Sequence, residues 1–236
     1  MSVQLAAWAQ PAWKPVVGPT TGYFSLVEER SGAGVLVTGS SREWTWWRTG
    51  IIEPISVPPL NYGSVSGVVV TDDGALVIGI RLDCGTQVCT ANGIYRLAAG
   101  ADDWESVGPK AVDVISIVES SRDTLLATTS SYDTWPALWR TVDGGKEWEK
   151  LPVEGPDKVF SGGDGVLFLS TSSALYRSED GGTTWTNVLE TEFADVLERG
   201  EGGLLYLGTR AGRLYVSKDG GRSWMQVVNR GMSTQF

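Results

Sequence analysis

An all-β chain folded as a β-propeller of about five four-stranded blades is what the sequence predicts, on three observations. A repeating unit of about 42 residues runs along the chain, which is the size of one such blade. Glycine and tryptophan are both abundant, at 30 and 11 of 236 residues, as suits a chain that must turn every ~8–12 residues. Apolar residues nowhere recur with helical spacing.

The repeat is clearest toward the C-terminus. Thr141-Val142-Asp143-Gly144-Gly145-Lys146-Glu147-Trp148, Ser178 through Trp185, and Ser217 through Trp224 align without gaps as [ST]-x-D-G-G-x-x-W. Each is preceded by a leucine and an aromatic residue, followed in two copies by Arg140 or Arg177. Decayed copies lie upstream. Tyr95-Arg96-Leu97 followed by Trp104 keeps the strand and the tryptophan but has Ala99 in place of the aspartate. Trp47-Arg48-Thr49 keeps the strand alone, and Trp13-Lys14-Pro15-Val16 matches the strand that follows a box. Within each unit a second strand stands out, at 34–39, 75–80, 124–129, 166–171 and 204–209, mixing aliphatic residues with Gly, Ser or Thr.

The spacing has a physical reason. Asp-Gly-Gly supplies the positive φ angles of a tight hairpin turn. Asp143, Asp180 and Asp219 can accept N–H groups of their own loop, as can the hydroxyls of Thr141, Ser178 and Ser217. Gly145, Gly182 and Gly221 complete the turns, and Trp148, Trp185 and Trp224 cover them, burying ~200 Å² each between blades. Every group in the motif has an internal use.

This motif resembles the Asp box, or BNR repeat, of sialidases, Vps10-type receptors and photosystem assembly factors. The resemblance implies that the boxes are structural and lie on the face opposite the binding site. It carries no enzyme motif with it. Sialidases have six blades, a Phe/Tyr-Arg-Ile-Pro motif, an arginine triad and a Tyr–Glu nucleophile pair. No Phe/Tyr-Arg-Ile-Pro occurs here, and Arg48, Arg96, Arg140 and Arg177 sit in the blade repeat, where interblade or surface pairing explains them. The photosystem assembly factors resemble seven-bladed chains.

Composition narrows function further. The chain has no histidine, which removes the commonest general base, the Ser-His-Asp triad and most zinc sites. No catalytic residue, metal or cofactor is expected. A net charge of −9 with no basic stripe argues against nucleic acid. No apolar run approaches the ~20 residues of a membrane span, and the N-terminus lacks the basic and apolar regions of a cleavable signal. Cys84 and Cys89 enclose four residues, which leaves a local disulfide and free thiols both open. The paired carboxylates Glu28-Glu29, Asp72-Asp73 and Asp102-Asp103 read as solvated turn residues.

Loops joining second to third strands emerge opposite the boxes. In the last two blades they are minimal, at Ser172-Ser173 and Arg210-Ala211-Gly212. In the first three they are longer and aromatic, and Arg42, Trp44, Tyr132, Asp133 and Trp135 become the candidate ligand-binding residues. Trp44 and Trp135 folded back onto their own blades is the competing reading.

The expectation is a non-catalytic binding or structural module, docking a protein or glycan through this loop face. A sialidase-like glycoside hydrolase on a reduced propeller is the alternative. A fold usual outside cells, without a visible export signal, suggests a virion (phage tail or surface) component or an extracellular protein, though a cytoplasmic one also fits. Residues 19–236 are expected to form one five-bladed domain. Residues 1–18 then hold a surplus strand that either closes the last blade or is donated to a neighbouring subunit as a strand-mediated oligomer.

Overall fold

Among the described residues, five antiparallel sheets of four strands each follow one another along the chain, every one a simple meander. The structure, a computed structural model, describes the strand backbone at 24–28, 35–39, 44–48 and 51–55, and residues 64–81, 91–131 and 135–227 in full. Blade 1 comprises β1 (Phe24–Glu28), β2 (Val35–Gly39), β3 (Trp44–Arg48) and β4 (Ile51–Ile55). Blade 2 comprises β5 (Ser64–Val70), β6 (Leu76–Arg81), β7 (Gly93–Leu97) and β8 (Glu105–Lys110). Blade 3 is β9 (Asp113–Ser121), β10 (Thr124–Ser130), β11 (Ala137–Thr141) and β12 (Glu149–Leu151). Blade 4 is β13 (Lys158–Gly163), β14 (Val166–Ser170), β15 (Ala174–Ser178) and β16 (Thr186–Glu190). Blade 5 is β17 (Ala194–Arg199), β18 (Leu205–Thr209), β19 (Leu214–Ser217) and β20 (Met225–Gln226). The expected second strands coincide with β2, β6, β10, β14 and β18 to within a residue.

The first strand of each blade lies beside the first strand of the next, so β5, β9, β13 and β17 line a channel of about 630 Å³. The apolar core is divided into layers between blades. Val69, Val77 and Ile94 of blade 2 meet Val114, Leu125 and Trp148 of blade 3. Leu126 and Leu138 of blade 3 meet Val159, Leu167 and Trp185 of blade 4. Phe160, Phe168 and Leu175 of blade 4 meet Leu197, Leu207 and Trp224 of blade 5.

One contact recurs in all three layers. The second glycine of each repeated turn has positive φ, at 86° for Gly145, 82° for Gly182 and 79° for Gly221. Each sits against one apolar residue of the preceding blade: Val77, Leu126 and Phe168 respectively. A Cβ built on Gly182 would lie 2.6 Å from Leu126 Cδ2, so both the backbone and the contact require glycine. The residue opposite each apolar partner on the third strand is Arg96, Arg140 or Arg177. Arg96 Nε donates to the Gly144 carbonyl at 3.1 Å and Arg177 Nε to the Gly220 carbonyl at 2.8 Å, each in the following blade. Arg140 reaches Thr183 Oγ1 in the following turn at 2.8 Å. Arg96 is also paired with Asp73. Asp73 is an exposed turn residue, as the sequence expectation has it, and the structure adds a role: it is the counter-charge that a buried arginine needs.

Inside each turn the polar groups satisfy one another. Thr141 Oγ1, Ser178 Oγ and Ser217 Oγ donate to the aspartate two residues on (2.6–2.8 Å) and accept the second glycine's N–H (2.8–3.2 Å). Asp180 also accepts the N–H and the hydroxyl of Thr184, at 2.9 and 2.6 Å. Those two bonds lead a set that holds its carboxyl down at about 2. Asp219 is likewise held far below the usual range, first by the Ser223 hydroxyl. Burial pushes Asp143 upward, but bonds from Thr141 and the backbone of Glu147 and Lys146 outweigh it. Trp148 and Trp224 donate Nε1 to the turn carbonyls of Gly145 and Gly221, at 3.1 and 3.2 Å, whereas Trp185 Nε1 is buried without a partner among the described residues.

Gly182→Ala should cost about 3 kcal/mol, from left-handed backbone strain and overpacking against Leu126, read as a shifted denaturation midpoint. Leu126→Ala in the same background should recover part of that loss if overpacking is a real share of it. A depressed aspartate adds stability that is full above the unfolded value of ~3.9 and fades as pH falls toward its folded value. Asp180→Asn should therefore lower Tm at pH 7, and the gap to the parent should close between pH ~4 and ~2. A gap that stays constant across that range would show that the charge on Asp180 is not what the turn uses.

Candidate binding face

In a four-stranded meander the second-to-third loops and the connection into the next blade emerge at the same end. The repeated turns and the first-to-second hairpins occupy the other. Two kinds of segment lie at the end away from the turns, among them residues 135–136 and 210–213 as loops, and 156–158 and 194–195 as entries to β13 and β17.

At this end the channel opens into a mouth of about 390 Å³, bounded by Arg81, Pro136, Asp157, Lys158, Asp195 and Arg210 together with Ser64, Ser66, Ile115 and Thr129–Ser130. Three of these positions are β-bulges at the start of inner strands. Ser66 is left out of the β5–β6 pairing, Ile115 out of β9–β10, and Asp195 out of β17–β18, and all three line the mouth. A bulge re-aims one side chain without disturbing the ladder on either side. The rim is tied across blades by buried hydroxyls. Ser116 Oγ, 2.7 Å from Thr128 Oγ1, accepts the Val159 N–H at 2.9 Å, and Ser170 Oγ accepts the Ala194 N–H at 2.8 Å.

The charges of the mouth are mostly consumed by one another. Arg210 Nη2 donates to both oxygens of Asp157, at 3.0 and 2.9 Å, and its guanidinium lies 4.7 Å from the centre of the Phe193 ring. Lys158 Nζ donates to the Asp195 carboxylate at 2.7 Å and to its carbonyl at 2.9 Å. The Lys158 bond is the main cause holding the Asp195 carboxyl below its ordinary value. Arg81, at the end of β6, is exposed and has no ion pair among the described residues. Ser66 Oγ is buried with no hydrogen-bond partner among the described residues. Further round, Glu192 accepts from Thr209 Oγ1 at 2.7 Å and Arg213 Nη1 at 2.6 Å. Among the described residues no group of three His, Cys, Asp or Glu is placed to hold a metal, and no helix is long and apolar enough to cross a membrane.

Of the candidate ligand residues, Trp135 is described in full, and it is 89% exposed. It does not fold back onto blade 3. It directly precedes Pro136, which lines the mouth. Trp44 opens β3, so the backbone places it at the same end of blade 1. Arg42, Tyr132, Asp133, Cys84 and Cys89 lie outside the described residues, as does the surplus strand expected at 13–17. The twelve residues of the three repeated turns all lie at the opposite end, engaged in the internal bonds above or, as Trp185, packed against the preceding blade. The mouth residues Asp157, Lys158 and Asp195 escape sequence reasoning that considers only second-to-third loops, and Arg210 lies in such a loop but in one set aside as minimal. The signal available was the topology, which brings every entry to an inner strand to the same end.

No family model and no curated protein sequence matches the chain. Solved structures match it by fold. The extracellular domain of the putative one-component system BT4673 from B. thetaiotaomicron superimposes with a TM-score of 0.60 at 13% identity, over 87% of this chain and 28% of that one. The GH74 xyloglucanase from Xanthomonas campestris gives 0.56 at 17% identity, over 86% and 38%. YCF48 from Cyanidioschyzon merolae gives 0.51 at 17% identity, over 73% and 59%, and YCF48 has also been solved bound to a D1 peptide. This chain therefore spans between about a quarter and three fifths of the length of these three proteins. At these identities the likeness concerns architecture, and these propellers include an enzyme as well as a peptide binder: the chain is an all-β propeller of four-stranded blades.

Proposed function

We propose that the chain is a non-catalytic docking module that takes a segment of a partner protein on the face opposite its repeated turns. The observation that carries this reading is Trp135, a large aromatic side chain almost wholly in water at the rim of a polar mouth. Burying so much apolar surface on a partner is favourable, and exposed tryptophan is the residue type most enriched where interfaces hold their energy. The mouth supplies hydrogen-bonding hydroxyls from Ser64 and Ser130 beside it. A protein partner agrees with the peptide seen on YCF48, a propeller of similar architecture.

Chemistry at the mouth argues for docking over hydrolysis. Glycoside hydrolysis needs one carboxyl kept protonated as the acid, beside a second that is ionised. Asp157 and Asp195 face the mouth, but each already holds a cation, and Asp195 is pushed toward ionisation. Asp195 is therefore not poised to give up a proton at neutral pH. The turn motif resembles the Asp box, and in this reading its three copies serve stability alone. The virion or extracellular setting stays part of the proposal on the sequence argument alone.

A peptide array probed with the intact chain tests the reading. The peptide bound best should lose about tenfold or more in affinity on Trp135→Ala, with Tm unchanged because that ring contacts little of its own blade. Binding that ignores Trp135, or selective binding on a glycan array in its place, would contradict it. Turnover of aryl glycosides or sialosides that Asp157→Asn or Asp195→Asn abolishes would replace docking with catalysis.

A further inference from the structure

Blade 5 carries a sheet face that breaks the rule set by its neighbours. Opposite the bridging arginine, blades 2, 3 and 4 place Val77, Leu126 and Phe168 on the second strand, all fully buried by the next blade. The register of β18 and β19 puts Tyr206 at this position in blade 5, and it is 38% exposed. Two residues before the arginine, Ile94, Leu138 and Leu175 are fully buried, whereas Leu214 is 42% exposed. Met225 pairs with Val216 beside Tyr206, and Val196 shares the Gly208–Leu214 row, so the exposed apolar residues form one continuous face.

The same face has lost its cation. Where Arg96, Arg140 and Arg177 reach into the following turn, blade 5 has Val216. A face without the arginine cannot hold the carbonyl of a D-G-G turn as blades 2 and 4 do. Its occupant must bring apolar bulk and no such turn.

We propose that residues 1–23 of this chain cover the face, with Trp13 standing on blade 5 where Trp148, Trp185 and Trp224 stand on blades 2, 3 and 4. The segment matches on both counts. It is rich in apolar groups, with Trp8, Trp13, Leu5, Val16 and Val17, and Trp13-Lys14-Pro15-Val16 has the form of the strand that follows a box. The residues before it, Gln10-Pro11-Ala12, contain no D-G-G turn to be held. A second copy presenting any of its three repeated turns would instead leave its turn carbonyl without the arginine, which disfavours that occupant. The proposal stands apart from the docking reading, since Trp135 and the mouth lie on another side of the fold.

Hydroxyl-radical labelling of the intact chain, read residue by residue by mass spectrometry, tests it. Tyr215, buried against blade 4, serves as the internal control. Tyr206 and Met225 should react at least about fivefold more slowly in the parent than in Trp13→Ala, with Tyr215 equally protected in both and both proteins monomeric by light scattering. Equal reactivity of Tyr206 in the two proteins overturns the proposal. If they share protection at monomer mass, another part of the chain is the cover; if at dimer mass, a second copy is. Should Trp13→Ala fail to fold, Leu214→Lys decides. A charge placed under the segment should lower Tm by about 5 °C or more at monomer mass, and an unchanged Tm, as an open surface would give, overturns the proposal equally.

Discussion

The fold depends on a glycine that has no room for a side chain. Each repeated turn presses its second glycine onto one apolar residue of the preceding blade and accepts a hydrogen bond from an arginine there. The sheet of one blade and the turn of the next thus share an apolar contact and a charge-assisted hydrogen bond, made to the first glycine's carbonyl in two interfaces and to Thr183 Oγ1 in the third. That explains why the core lies in layers between blades and why a blade taken alone would leave a whole face in water. It also explains the economy of the motif. The aspartate and hydroxyl fix the loop shape, the glycines permit the approach, and the tryptophan seals the edge of the layer.

This arrangement separates stability from recognition along the strand axis. Because a meander returns its odd-numbered connections to one end and its even-numbered ones to the other, the turns that lock neighbouring blades never share an end with the mouth. The mouth can therefore vary in loop length and charge without touching the interlocks. Its own cohesion comes from different devices: bulges that aim Ser66, Ile115 and Asp195 inward, and ion pairs that join the entry of one blade to the loop or bulge of the next. Lys158 and Arg210 serve there as cross-blade ties, leaving Arg81 and Trp135 as the groups with unspent binding capacity.

How far this could be read in the sequence follows from how local each feature is. The turns, their hydroxyl–aspartate bonds and the second strands depend on residues within five positions of one another, and the structure places them where the pattern does. The tryptophans follow too, since a periodic aromatic residue after each turn has only the neighbouring blade to cover. Features joining distant residues were not legible. Arg210 and Asp157 are 53 positions apart and Lys158 and Asp195 are 37, and no local pattern links them. Asp73 is one of two exposed turn carboxylates, and nothing in the local sequence shows that Arg96, 23 positions on, pairs with it. The bulges likewise leave no trace, because Ser66, Ile115 and Asp195 have no common side-chain chemistry.

The central claim is that the turns unite the blades into one cooperative unit, and amide hydrogen exchange tests it most directly. The N–H groups of Gly145, Gly182 and Gly221 are buried in bonds to Thr141, Ser178 and Ser217, yet lie in turns, which ordinarily open locally. If the interlock governs the fold, these three amides will exchange as slowly as those of the central-strand residues Leu126, Leu167 and Leu205, with the free energy of global unfolding. Exchange of the glycine amides through local opening, orders of magnitude faster than the strands, would contradict the account.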